Sequence, residues 1–250
     1  MWDQARRHTR IKLCEFEALD PAYEASHLGA DALGFHIFKH QAVERKVERF
    51  EEIFRYLPKT VEKVLLTDLD LEVAVAVVTV LRVDSVQLYP DWPAEKVARF
   101  RARLPTRVRI LKVMSAQPEE NALHDSREFL RHYSQVVDGF LLDSFRAGGT
   151  GKTADWNHCA ALVQATPLPV FLAGGLTDKN VGEALRLVRP FGVDVENGVS
   201  DRIPGGPLVK NMAKCARFIA AVRRADQLVY SAAGPSSKGF GPEPHPPVPL

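Results

Sequence analysis

The stretch Pro169-Val170-Phe171-Leu172-Ala173-Gly174-Gly175-Leu176-Thr177-Asp178 decides the architecture. Its first five residues are apolar without interruption, as in a strand covered on both faces. A glycine pair follows, and Thr177 or Asp178 then caps a predicted helix that puts Val181, Ala184, Leu185 and Val188 on one face. The next apolar run, at 192–195, ends on a second glycine loop, Glu196-Asn197-Gly198-Val199. Strand, glycine turn, amphipathic helix, strand is the repeating unit of a parallel α/β fold.

The same unit recurs upstream as far as residue 10. Strands are expected at 11–14, 32–37, 62–67, 85–89, 107–113, 139–143, 169–173 and 192–195, and helices at 21–28, 44–56, 71–81, 94–104, 155–165 and 178–188. Pattern alone also admits a doubly wound sheet. Eight regular units favour a single (β/α)8 TIM barrel over residues 10–226, and 250 residues is an ordinary size for one. Residues 1–9 read as an N-terminal extension. Residues 231–250, rich in Pro, Gly and Ser, read as a disordered tail that cannot bury a core.

Composition narrows the class. Hydrophobic residues make up 46% and charged residues 26%, and the formal net charge of +2 gives no reason to expect nucleic acid or an anionic membrane as partner. Three widely spaced cysteines, Cys14, Cys159 and Cys215, argue against a disulfide framework and for a reducing setting. The polar, basic N-terminus lacks the apolar core of a secretory signal, and the apolar run at 73–81 is too short to span a bilayer. The expectation is a cytoplasmic protein, monomeric or homodimeric.

In a TIM barrel the reactive groups stand at the C-terminal ends of the strands, and a phosphate site commonly follows strands seven and eight. Glycine loops occupy those positions: Gly148 and Gly149 after strand six, Gly174 and Gly175 after strand seven, Asn197 and Gly198 after strand eight. Any one pair reads equally as turn glycines. Three at consecutive strand ends favour backbone N–H groups cradling a phosphate. Lys152 does not fit the spacing of a nucleotide P-loop.

Cys14 ends strand one and Asp143 ends strand six, so a thiolate base and a carboxylic acid can face one pocket. Cys159 and Cys215 fall in helical patterns, as packing residues do. Lys112 on strand five suits an anion contact, an iminium with a carbonyl substrate, or a structural ion pair. Tyr89 suits either the pocket lining or the core, and Arg45 suits either a substrate carboxylate or solvent. His36 and His40 lie on a strand end and loop with no accompanying ligand motif, so no metal site is expected.

Together these residues resemble the phosphoribosylanthranilate isomerase family, barrel enzymes of tryptophan biosynthesis. The resemblance runs from Ile11 to about Phe218. It rests on Ile11-Lys12-Leu13-Cys14, Gly29-Ala30-Asp31-Ala32-Leu33-Gly34-Phe35, Val86-Gln87-Leu88 and Leu141-Leu142-Asp143-Ser144. It continues through Gly148-Gly149-Thr150-Gly151-Lys152-Thr153-Ala154-Asp155-Trp156, Leu172-Ala173-Gly174-Gly175-Leu176, Asn180-Val181, Val193-Asp194-Val195 and Asn197-Gly198-Val199. It implies an Amadori rearrangement without metal or organic cofactor, with Asp143 as general acid, Cys14 as general base and the glycine loops on the substrate phosphate. Arg45, Tyr89, Lys112 and His36 are the candidates for the rest of the substrate.

The departures cluster. Where the family usually has Gly after the cysteine, this chain has Glu15. The family's Ser-Pro-Arg loop is replaced by Phe38-Lys39-His40-Gln41-Ala42-Val43-Glu44-Arg45, which puts Arg45 in the arginine's place only with a two-residue insertion. Tyr89-Pro90 replaces His-Gly, and Glu196-Asn197-Gly198 replaces Ser-Ser-Gly. The implied reaction is therefore an aldose–ketose isomerisation of an N-(5'-phosphoribosyl)amine, with anthranilate or an altered aglycone. A lyase using Lys112 and a non-catalytic sugar-phosphate binder are the alternatives.

Overall fold

The computed structural model describes residue 2 and residues 8–115, 122–143, 155–206 and 208–232. Eight parallel strands close into a barrel in sequence order, the first pairing with both the second and the eighth. They are β1 (Arg10–Leu13), β2 (Ala32–Ile37), β3 (Glu62–Thr67), β4 (Ser85–Leu88), β5 (Arg109–Ser115), β6 (Gly139–Asp143), β7 (Val170–Ala173) and β8 (Gly192–Val195). The helices between them are α1 (Leu19–His27), α2 (Val43–Tyr56), α3 (Leu71–Leu81), α4 (Ala94–Arg103), α5 (Ala122–Tyr133), α6 (Trp156–Gln164) and α7 (Val181–Val188). A final long helix, α8 (Met212–Ala232), carries regular structure past residue 226, so the first two residues of the expected tail are helical. The rest of that tail lies outside the described residues.

Alternation along each strand sorts side chains into two cores. Ile11, Leu13, Leu33, Phe35, Leu65, Val86, Leu142, Leu172 and Val193 point outward and are buried under the helices, whose inward stripes include Phe50, Ile53, Val97, Phe100, Leu162, Leu185 and Phe218. Each such side chain contributes about 1.5–3 kcal/mol of burial. The other residues of each strand point into the barrel. One apolar cluster there joins Cys14, Ala32, Val64 and Leu66, and another joins Leu111, Leu141, Phe171 and Ala173.

The predicted strand and helix ends shift by a few residues for local reasons. Asp155 stands outside α6 and caps it, accepting from the backbone N–H groups of Asn157 and His158 at 2.9 and 3.2 Å. α7 starts after Asn180, later than the expected Thr177 or Asp178 cap. The Asn180 amide instead ties the preceding turn, accepting from the Thr177 N–H at 2.7 Å and donating to the Gly175 carbonyl at 2.9 Å. The residues expected on the buried face of α7 are indeed buried. A hairpin absent from the sequence expectations, β9 (Ser200–Arg202) and β10 (Leu208–Lys210), follows the eighth strand.

The N-terminal extension contributes to the barrel floor. Trp2 lies against Phe171, ring centroids 6.0 Å apart, and its indole N–H donates to Glu62 at 2.7 Å and to Ser85 at 3.1 Å. Among the described residues no helix is long and apolar enough to cross a membrane.

Candidate active site

The inward positions at the end of β1 are Lys12 and Cys14, both buried. Period two puts them on the same face, and β2 makes room for them. Gly34 sits directly opposite: a Cβ there would lie 2.8 Å from the Cys14 sulfur and 3.1 Å from the Lys12 ammonium. The Lys12 Nζ donates to Asp194 on β8 at 2.8 Å and to the Cys14 Sγ at 3.2 Å. Burial works against the Lys12 charge, but Asp194 and then Cys14 outweigh it and the ammonium is pushed up to about 12. Burial pushes the Cys14 thiol well above its ordinary range, with Lys12 pulling the other way.

His36, two residues beyond Gly34, brings its Nε2 to 3.4 Å from the Cys14 sulfur. Burial and the charges of Lys12, Lys46 and Lys210 push it down to about 3, so the imidazole is neutral. From the end of β8, Glu196 reaches back to within 3.7 Å of the same Nε2. Burial, and then the Glu15 carboxylate, push the Glu196 carboxyl up to about 7. The Lys210 ammonium is returned to this spot by the β9–β10 hairpin, donating to the Glu196 carbonyl at 3.2 Å and to Ser200 at 2.7 Å. Glu15 has φ 66°, a left-handed conformation that glycine adopts without cost. One of its carboxylate oxygens is buried without a hydrogen-bond partner.

Tyr89 stands between this cluster and Asp143. It packs on the apolar cluster that includes Cys14, and burial, with the nearby acidic groups, raises its phenol. Gln87 donates to the Tyr89 oxygen at 3.0 Å while its own carbonyl oxygen is buried and unpartnered. On the far side, Asp143 and Tyr89 border a cleft of about 390 Å³ with Ser115, Asp125 and Phe129. The loops after β7 and β8 touch each other: Gly174 and Gly175 have φ 88° and 64°, and a Cβ on Gly198 would lie 2.0 Å from the Leu176 carbonyl oxygen. Asn197 and Gly198 form the short 3-10 turn beside them. Gly148 and Gly149 lie outside the described residues.

Two expected site residues are elsewhere. Lys112 alternates with the inward Leu111 and Val113 and therefore points out to the helix layer. Its ammonium donates to the Pro90 carbonyl at 2.7 Å and lies over the rings of Phe129 and Tyr133. That placement corrects its reading as a pocket lysine. Arg45 is exposed in the first turn of α2. Its neighbour Lys46 turns towards the mouth instead, pairing with Glu17 and lowering the basicity of His36. Cys159 and Cys215 are buried in helices.

Lys12, Asp194, Glu196, Gln87 and Lys210 were not singled out from sequence. Lys12, Asp194 and Gln87 carry a signal: polar residues at inward positions of otherwise apolar strands, where a buried polar group needs a partner. Lys210 carries none, because only the hairpin returns it to the site.

Comparison with known proteins identifies the family. The family model for N-(5'-phosphoribosyl)anthranilate isomerase matches residues 11–221. An N-(5'-phosphoribosyl)anthranilate isomerase 2 from Methanosarcina mazei is 33% identical over 200 residues, covering 77% of this chain and 86% of that protein. An N-(5'-phosphoribosyl)anthranilate isomerase from Geotalea uraniireducens is 35% identical over 215 residues, covering 84% and 97%. The crystal structure of phosphoribosyl anthranilate isomerase from Thermotoga maritima superposes with a TM-score of 0.71 at 26% identity, covering 86% of this chain and 99% of that one. With the closed barrel, the inward cysteine and the glycine loops already in place, the match over nearly the whole barrel settles the kinship: this chain is an isomerase of the N-(5'-phosphoribosyl)anthranilate isomerase family.

Proposed function

We propose that this chain isomerises N-(5'-phosphoribosyl)anthranilate to the 1-amino-1-deoxyribulose 5-phosphate, with Asp143 as general acid and Cys14 as general base. The observation that carries the reading is the shared pocket: Tyr89 packs on the cluster around Cys14 and lines one cleft with Asp143 at the end of β6. Asp143 protonates the ribose ring oxygen as the C1–O bond breaks, and the anthranilate nitrogen supplies the electron pair that makes the iminium. Cys14 then takes the C2 proton, and the C–H electrons neutralise the iminium as the enol amine, which becomes the ketone. The buried thiol rests protonated. Lys12 at 3.2 Å and the positive iminium together favour its thiolate when substrate is present.

The loops at Gly174–Gly175 and Asn197–Gly198 are the proposed phosphate cradle, fixing the reacting carbons over the strand ends. The relatives described above are named for anthranilate, which supports that aglycone over an altered one. Lys112, held between two aromatic rings outside the barrel, removes the basis for an iminium-forming lyase.

The test is turnover of phosphoribosylanthranilate generated in situ, followed by loss of anthranilate-type fluorescence. Wild type turns over and Cys14→Ser loses at least about a hundredfold in kcat. Turnover that survives both Cys14→Ser and Asp143→Asn overturns the assignment.

A further inference from the structure

Two side chains that the proposed isomerisation does not use, His36 and Glu196, stand beside the Cys14 sulfur. His36 and Glu196 bring an imidazole nitrogen and a carboxylate to a thiol, and the three ligand atoms lie within 4.8 Å of one another. The separations are 3.4 Å from sulfur to Nε2 and 3.7 Å from Nε2 to the carboxylate oxygen. Tetrahedral zinc bonds set neighbouring ligand atoms about 3.3–3.6 Å apart. We propose that Cys14, His36 and Glu196 form a three-ligand site for a borderline divalent cation, Zn2+ in type, with the fourth position open towards the barrel mouth.

Lys12, Lys46 and Lys210 bring positive charge to His36, and the Cys14 thiolate with the Glu196, Glu15 and Asp194 carboxylates stands against it. Cys14 follows β1 directly, its N–H on the Val195 carbonyl at 2.9 Å, and His36 is held in the adjacent β2 ladder, so two of the ligands are preorganised. Glu196, just past β8, is the arm that closes on the ion. The unpartnered Glu15 oxygen adds negative charge next to Glu196. Lys12 is held chiefly by Asp194, and its contact to sulfur becomes the outer-shell donor of a metal-bound thiolate. Asp194, bonded to Lys12, is not free to ligate. Binding exchanges the thiol proton, released to solvent, for a metal–sulfur bond. That bond uses the sulfur lone pair that takes the C2 proton, so metal and turnover exclude each other; this last clause alone rests on the isomerase reading.

Cobalt(II) reports the site without reference to activity. Added to the full chain after chelator treatment, one equivalent is expected to give a thiolate-to-cobalt charge-transfer band with the intense visible bands of four-coordination. Cys14→Ser abolishes the band. His36→Ala and Glu196→Ala, checked for folding by circular dichroism, weaken binding by more than the roughly 100-fold that loss of an outer-shell partner costs. Absence of the band at one equivalent, or its survival in Cys14→Ser, overturns the site. Stoichiometric Zn2+ that leaves phosphoribosylanthranilate turnover intact while the cobalt band forms overturns the exclusion. A chain that forms the band but never turns over refutes the isomerase reading and leaves the metal site standing.

Discussion

At the end of the barrel where the strands begin, Glu62, Ser85 and Arg10 are buried and each is held. Trp2 and Ser85 both donate to Glu62, while Arg10 meets His8 at 2.8 Å and Asp31 at 3.7 Å and lies over the Phe191 ring. At the end where the strands finish, Glu15 and Gln87 each bury an oxygen with no partner, and a thiol, an imidazole and a carboxyl crowd together around Lys12. A buried polar atom left unpaired costs about 1–3 kcal/mol. The floor avoids that cost and the mouth carries it. The floor is thus built for stability, and the mouth holds groups whose partners arrive with a ligand.

The comparison breaks if substitutions at the mouth act on folding rather than on chemistry. The largest expected effect is on Asp143→Asn, which keeps the shape of the side chain and removes its proton. Turnover falls by about 10²–10⁴-fold, the usual contribution of a positioned acid. Thermal unfolding shifts by no more than a surface substitution would, within about 0.5 kcal/mol. A large loss of stability with little loss of kcat would place Asp143 with the floor.

The reverse holds at the floor. Trp2→Ala removes a ring packed on Phe171 and strips one donor from Glu62 and Ser85, leaving a cavity. The expected cost is about 3 kcal/mol in denaturant unfolding, with kcat unchanged. A mutant of wild-type stability would show that the tryptophan merely rests against the barrel.

These two ends were not equally legible in the sequence. The fold was readable because burial on both faces leaves near-continuous apolar runs, and those at 139–143 and 192–195 were read to the residue. Cys14 and Asp143 were readable because strand ends are where a barrel presents chemistry. The inward direction of Lys12 and the outward direction of Lys112 follow from period two once the strand is accepted, yet a lysine in an apolar run draws attention for its charge before its direction. Trp2 was hidden in a polar, basic stretch that reads as an extension, because its partners Glu62, Ser85 and Phe171 lie 60 or more residues away. The meeting of Cys14, His36 and Glu196 depends on barrel closure between β1 and β8, a long-range event without a local signal.

The smallest effect sharpens the comparison most, because it asks what the mouth gives up. Glu15 occupies a left-handed conformation and buries an unpaired oxygen, so Glu15→Gly removes both burdens. Left-handed backbone costs a side-chain-bearing residue about 1–2 kcal/mol, and glycine returns part of that gain through the freedom it adds to the unfolded chain. The net expectation is stabilisation by about 1 kcal/mol at neutral pH. The variant also has a pH signature. Glu196 keeps its proton up to about 7 in the folded chain against an ordinary value of 4.5, and Glu15 is one of the causes. Between these values the folded state binds more protons than the unfolded, so stability falls as pH rises through the window. Removing Glu15 brings the Glu196 carboxyl down and flattens that fall, so the gain over wild type is larger at pH 7 than at pH 4.5. Urea unfolding of both proteins across this range decides it: an equal gain at every pH would leave backbone strain as the whole effect and uncouple the two carboxylates.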